Sequence, residues 1–283
     1  MKYSGIGGQA VIEGIMMMKG EDYAVAVRRP DKEIEVKKDT YQSITKKAKI
    51  LQLPFVRGVF RFADSMIIGM RSLTYSASFF EDDEDAEPGK FEQFLDRVFG
   101  EKLESAIMAA VLVISFILAI GIFMLLPLGI ANLFKGIITS DHLMAVLEGV
   151  IRIAIFIIYI KLVSRMEDIR RTFMYHGAEH KCINCVEHGH PLTVKYVRES
   201  SKEHKRCGTS FILIVMVISI LMFMVIRVDT IWMRILSRII LVPVIAGISY
   251  EVLQCAVRSN SKFMDLVSRP GMWMQEIGRA SCR

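Results

Sequence analysis

Charge is absent from residues 106–130, AIMAAVLVISFILAIGIFMLLPLGI, and from residues 209–226, TSFILIVMVISILMFMVI. Neither stretch can form a solvated surface, and both run long enough to cross a hydrocarbon core of about 30 Å. Two more blocks hold only isolated charges: residues 145–163, with Glu148 and Arg152, and residues 239–257, with Glu251. An apolar leader is missing too. The opening MKYSGIGGQAVIEG has no h-region, so no cleavable signal peptide is expected. No internal repeat is visible, which leaves an inverted-repeat transporter little support. These absences predict an α-helical integral membrane protein with about four transmembrane helices.

The excess of basic over acidic residues, +6 in all, is informative by position rather than as a sum. Arg165, Arg170, Arg171, Lys181, Lys195, Arg198, Lys202, Lys205 and Arg206 fall between the second and third apolar blocks, whereas the first two are joined by a segment with Lys135 alone. The positive-inside bias then places the N-terminus, this connecting loop and the C-terminus on the cytoplasmic side of the membrane. Arg227, Arg234 and Arg238, on the outer side, run against that bias. The basic excess serves orientation and anionic lipid headgroups as partners; no nucleic-acid signature is present, and protein partners beyond a homo-oligomer are not indicated. In a reducing compartment the cysteines are thiols or metal ligands.

Residues 1–53 read as a small cytoplasmic β-meander. QAVIEGIMMM, ended at Lys19-Gly20, precedes YAVAVRR (23–29) and EIEVKK (33–38), which are joined by the tight PDK turn. The glycines of GIGG lack the strand–helix context of a phosphate loop and read as a leader with room for close backbone approach. Residues 54–104 comprise an amphipathic helix and an acidic linker. In the helix, Phe55, Val59, Phe62, Met66, Met70 and Leu73 recur at helical spacing. Arg57, Arg61, Asp64 and Arg71 argue against a full span, leaving a helix at the membrane interface or one packed on the meander. Residues 105–277 form the four-span domain, with a His/Cys-rich cytoplasmic loop at 164–208. The final GRASCR, residues 278–283, follows abruptly and matches a translated sequencing adapter, so it is expected to be a non-native tail.

The chemistry concentrates in YHGAEHKCINCVEHGH, residues 175–190. No proline interrupts Arg165 to Val186, and Gly189 and Pro191 then stop the segment, so a helix is expected. On it, His176 and His180 share one face and can offer two imidazoles to one ion. Glu179 beside them completes H-x-x-E-H, the inverted-zincin arrangement, in which a glutamate accepts a proton from water activated by the metal. Glu187 falls on the same face. A third ligand can come from His204 and Cys207, ahead of the third span, or from Glu251, since an ionisable group in a span is functional by default. A competing set pairs Cys182 and Cys185 with His204 and Cys207, close to a closed structural zinc site. On one helix Cys182 and Cys185 point away from His176 at ~100° per residue, so His204 and Cys207 can serve only one of the two sets. Glu148 and Arg152 are most simply an intrahelical ion pair, and His142, His188 and His190 read as loop residues.

The chain also resembles the YqhQ-like family of bacterial membrane proteins, described as predicted metal-dependent enzymes. The likeness rests on GGQAVIEGIMMM and AVAVRRPDKEI, on YHGAEHKCIN and HKRCGTSF, and on ISYEV and RPGMWMQ, in that order. It implies that His176, Glu179, His180, His204, Cys207 and Glu251 belong to the family's motif, and that the family continues past the tryptophan motif. The resulting expectation is a metal-dependent hydrolase at the cytoplasmic interface. A divalent metal, zinc first, would sit on His176 and His180, with Glu251 or His204 and Cys207 completing the shell and Glu179 as general base. The alternative is a membrane scaffold or assembly factor whose His/Cys cluster is a structural zinc site; ion conduction through Glu251 and Arg152 ranks last.

Overall fold

The structure is a computed structural model that describes residues 4–80, 103–204, 207–226, 230–258 and 261–276. The acidic run 81–87, the tail 278–283, Lys205, Arg206 and Arg227 lie outside the described residues. The chain divides into two compact units, Met1–Phe80 with Ile160–Arg283, and Glu81–Tyr159.

The first unit begins with an antiparallel sheet in the order β1-β2-β3-β4, formed by β1 (Ile6–Val11), β2 (Gly14–Lys19), β3 (Asp22–Arg28) and β4 (Ile34–Thr40). QAVIEGIMMM, expected as one strand, folds back on itself, with Val11 paired to Gly14. The reason is local. Glu13 takes φ 50°, and a Cβ on Gly14 would stand 3.0 Å from Val27 Cα, so only glycine lets β2 approach β3 there. Gly20, at φ 68°, turns β2 into β3.

Alternation of side chains gives the sheet two working faces. Val11, Met16, Tyr23, Val25 and Val27 form the core on one face, together with Tyr41 and with Ile68 of α1 (Val56–Ala77). Gln9 belongs to that face and fills the space that Gly69 leaves open: a Cβ there would lie 2.8 Å from Gln9 Nε2. Buried Asp64 anchors α1 to the turn that follows β4, accepting hydrogen bonds from Tyr41 Oη (2.9 Å), Ser43 Oγ (2.5 Å) and Ile44 N (3.0 Å). The opposite face meets the helix that carries the H-x-x-E-H motif.

In the second unit α2 (Leu103–Ile120) passes through a π-helical turn, Gly121–Leu125, into α3 (Leu126–Asn132). Pro127 brings no N–H for the carbonyl four residues back and its ring crowds that carbonyl, which a widened turn relieves. Phe123 packs edge-on against Phe156 and Tyr159 of α4 (Asp141–Val163), where Arg152 Nη2 donates to Glu148 Oε1 at 2.7 Å. His142, expected in a loop, lies in the first turn of α4.

The rest of the first unit comprises α5 (Glu167–Glu187), α6 (Val194–Glu199), α7 (Gly208–Val225), α8 (Ile231–Arg258) and α9 (Lys262–Met274). Among the described residues, three helical segments are long and apolar enough to cross a membrane: Ala110–Asn132, Asp141–Val163 and Leu236–Ala256. The fourth expected span, Ser210–Val225, is apolar but shorter. The chain is thus mostly helical with an N-terminal four-stranded sheet.

Candidate metal centre

Helix α5 starts with Glu167 and Asp168, whose charges suit the positive end of the helix dipole, and gives way to Gly189 at φ 75°. Its 21 residues form one continuous helix, so His176 and His180 stand one turn apart with ring centroids separated by 4.6 Å. Both are backed by buried neighbours, and His180 is itself 2% exposed.

The third partner arrives from the segment ahead of α7. His176 Nε2 lies 3.1 Å from Cys207 Sγ. His176, His180 and Cys207 each place a ligand atom within 4.8 Å of the other two, the group among the described residues that can hold a metal ion. With zinc bonds of roughly 2.3 Å to sulfur and 2.0 Å to nitrogen, tetrahedral ligand atoms stand about 3.5 Å apart, the same order as the separations in this group. Burial pushes the Cys207 thiol up, but the hydrogen bonds and charge of His176 and His180 outweigh it and hold the thiol well below its ordinary value. That favours the thiolate, which is the metal-binding form.

Both imidazoles are oriented through their other nitrogen. His180 Nδ1 stands 2.8 Å from the Lys202 carbonyl oxygen. His176 Nδ1 stands 3.2 Å from Glu179 Oε2, within ion-pair range, although that buried oxygen is not aligned for a hydrogen bond. A carbonyl or carboxylate behind the remote nitrogen fixes the tautomer that leaves Nε2 for a metal. Glu179 therefore stands at the Nδ1 edge of His176 and Cys207 at its Nε2 edge.

The loop that delivers Cys207 is tied down by main-chain contacts. Asn184 Nδ2 donates to the carbonyls of Ser201 (2.7 Å) and Glu203 (2.8 Å). Gln275, 1% exposed, accepts from His204 N (3.0 Å), donates to the His204 carbonyl (2.8 Å) and also donates to Ser210 Oγ (3.0 Å). Gly271 of α9 makes this clamp possible, because a Cβ there would lie 2.6 Å from Ser210 Oγ.

The remaining expected residues separate from this group. His204 sits 5.7 Å from His180 by ring centroids, and its Nε2 lies 3.3 Å from Glu187 Oε2. Glu187 Oε1 accepts from both Ser4 N (3.1 Å) and Ser4 Oγ (2.8 Å). Glu251 is engaged elsewhere: Arg57 donates to it through Nε (2.7 Å) and Nη2 (2.5 Å), and Phe55 N donates to Oε1 at 3.3 Å. Of the two sources left open for the third ligand, the structure gathers Cys207. The competing set does not assemble among the described residues: the Cys185 thiol faces the carbonyls of His190 (3.8 Å) and Pro191 (3.5 Å), and burial pushes the Cys182 thiol up. Arg57, Ser4, Asn184 and Gln275 carried no chemical motif. The segments that hold Ser4, Asn184 and Gln275 were signalled by the glycines of GIGG, by YHGAEHKCIN and by the RPGMWMQ stretch.

No solved structure matches the chain. It is 33% identical over 270 residues to the "Uncharacterized protein YqhQ" of Bacillus subtilis (strain 168), an alignment covering 95% of this chain and 84% of that protein. Residues 53–281, which include His176, His180, Cys207 and Gln275, match the family described as "Protein of unknown function (DUF1385)". The chain belongs to that family, and it is a YqhQ-like protein with a His/His/Cys group able to hold a metal.

Proposed function

We propose that this protein is a membrane-associated, metal-dependent hydrolase whose divalent ion, zinc first, is held by His176, His180 and Cys207. The observation that carries this reading is the double orientation of the imidazoles. Each histidine backs its Nδ1 onto an oxygen acceptor, and His176 Nε2 faces the Cys207 sulfur. When bound, the metal would act as a Lewis acid that makes water nucleophilic near neutral pH. Three protein ligands rather than four is the count of catalytic zinc sites, which supports an enzyme over a closed structural knot. A multi-pass arrangement with cytoplasmic termini, and hence a site at the cytoplasmic interface, follows from the charge asymmetry of the loops.

The geometry supports a positioning role for Glu179 in place of the general base expected from H-x-x-E-H. A carboxylate beside Nδ1 raises the basicity of the ligand and holds the ring plane. His180 takes the same support from the Lys202 carbonyl, and Cys207 supplies the negative charge that lowers the net charge of the centre.

A second reading has its own observation. Cys207, His176 and Glu179 lie in sequence at 3.1 Å and 3.2 Å, the order of a thiol nucleophile, its base and the group that orients the base. The two readings part on metal dependence. Chelator-stripped and zinc-reloaded protein would be assayed on fluorogenic casein peptides and nitrophenyl esters. Hydrolysis restored by zinc, and absent in His176→Ala with His180→Ala, is expected. Hydrolysis by the stripped protein that iodoacetamide abolishes would establish the cysteine reading instead.

A further inference from the structure

We propose that residues 50–73 form a wedge inserted into one leaflet of an anionic phospholipid bilayer, with Arg57 and Glu251 as the lock that holds it there. Helix α1 has two faces. Asp64, Ile68, Ser72 and Ser76, four residues apart, are buried towards the sheet and turn. On the other side Phe62 (45% exposed), Met66 (55%), Met70 (60%) and Leu73 (37%) make an unbroken apolar stripe at ~100° per residue. The chain ahead of the helix adds Ile50, Leu53 and Phe55, each more than half exposed. A solvated helix has no use for such a stripe, and a bilayer is the apolar phase at hand.

Continuity with a candidate span sets the level of the wedge. Gly58 packs so closely on α8 that a Cβ would lie 2.7 Å from Tyr250 Cβ and 3.1 Å from Gly247 Cα. Gly247 belongs to the apolar segment Leu236–Ala256, nine residues (256 − 247) from its end, which is about 13 Å along a helix. The start of α1 therefore stands within the depth of that segment. Irregular backbone at such a depth must be satisfied by protein. Phe55, at φ 66°, has its N–H satisfied there by Glu251 Oε1 at 3.3 Å, and its carbonyl packs against Gly247. The bidentate Arg57–Glu251 pair supplies each charge with its counter-charge in the same low-dielectric layer. Exposed Lys47 and Lys49 directly precede the apolar tip, where phosphate headgroups would meet them.

The test uses full-length protein reconstituted in vesicles of phosphatidylethanolamine and phosphatidylglycerol. Leu53, Met66 or Met70 is replaced in turn by the photo-crosslinker p-benzoylphenylalanine, with exposed Glu35 of β4 as the aqueous control. All four positions are surface positions, so folding is retained and is checked by size-exclusion profile. Lipid adducts at Leu53, Met66 and Met70 but not at Glu35 are expected, with phosphatidylglycerol enriched above its mole fraction. Lys47→Glu with Lys49→Glu should remove that enrichment while the adducts persist. Protein–protein adducts at these sites would overturn the proposal in favour of an interface between copies, and adducts no more frequent than at Glu35 would overturn it in favour of a solvated helix.

Discussion

Gly8 lies directly against Glu179: a Cβ added at Gly8 would stand 2.7 Å from both Cγ and Oε1 of that carboxylate. The N-terminal strand thereby packs against the helix that carries the candidate histidine ligands. It runs antiparallel along α5, with Ser4 at Glu187, Gly8 at Glu179, and Glu13 at Arg171 and Tyr175. Gly8→Ala should displace Glu179 from His176, costing about 1–3 kcal/mol of stability as an overpacked site and weakening metal retention. Calorimetric Tm and metal content of the variant measure both, and an unchanged metal content would separate Gly8 from the centre.

Glu179→Gln tests the role assigned to that residue. The isosteric amide keeps the buried volume but removes the carboxylate charge beside His176 Nδ1, so the fold should persist, with metal affinity lowered about 10–100-fold as for other outer partners of ligating histidines. Competition against a chelator of known affinity reads this out. Loss of all hydrolysis at full metal occupancy would return Glu179 to the role of base.

Glu251→Gln separates the lock from the ligand set. The protein should keep its metal, because the carboxylate is committed to Arg57 and Phe55. It should lose about 1–3 kcal/mol of stability as a charge-assisted pair is broken. Arg57→Ala should be non-additive with it in a double-mutant cycle. Metal loss in Glu251→Gln would mean that the carboxylate ligates.

The Glu13–Arg171 ion pair gives a pH signature. The hydrogen bond from Arg171 holds the Glu13 carboxyl below its ordinary 4.5. A depressed folded-state pKa adds stability that is present above the unfolded value and is lost as pH falls through the folded one. The Tm difference between wild type and Glu13→Gln should therefore be constant above about pH 5 and shrink below 4.5. Arg171 is 53% exposed, so screening keeps the effect small, and salt should reduce it further. A difference that grows on acidification would contradict the assignment.

The sequence showed the long charge-free blocks, the glycine- and proline-bounded strands and the i, i+4 histidines, because each rests on local periodicity. It left the third ligand open between the His204 and Cys207 pair and Glu251, because which of them approaches the histidines depends on which loop a buried amide such as Gln275 clamps in place. Spacing alone placed Glu179 beside His176, but which ring nitrogen its carboxylate faces depends on the rotamer of that histidine. Arg57 was read as an interruption of an apolar run; its partner lies 194 residues away, a distance no window along the chain can see. The extra turn in QAVIEGIMMM was hidden for a similar reason, since the close approach of Gly14 to Val27 is a cross-strand fact.

The most direct test of the central claim is metal content by inductively coupled plasma mass spectrometry on detergent-purified protein. Wild type would be compared with His176→Ala plus His180→Ala, with Cys207→Ser, and with Cys182→Ser plus Cys185→Ser. The account predicts one ion per chain in wild type and in the Cys182/Cys185 variant, and its loss from the other two while their secondary structure by circular dichroism is unchanged. Wild-type protein that stays metal-free after zinc loading, or an ion lost only with Cys182 and Cys185, would contradict it.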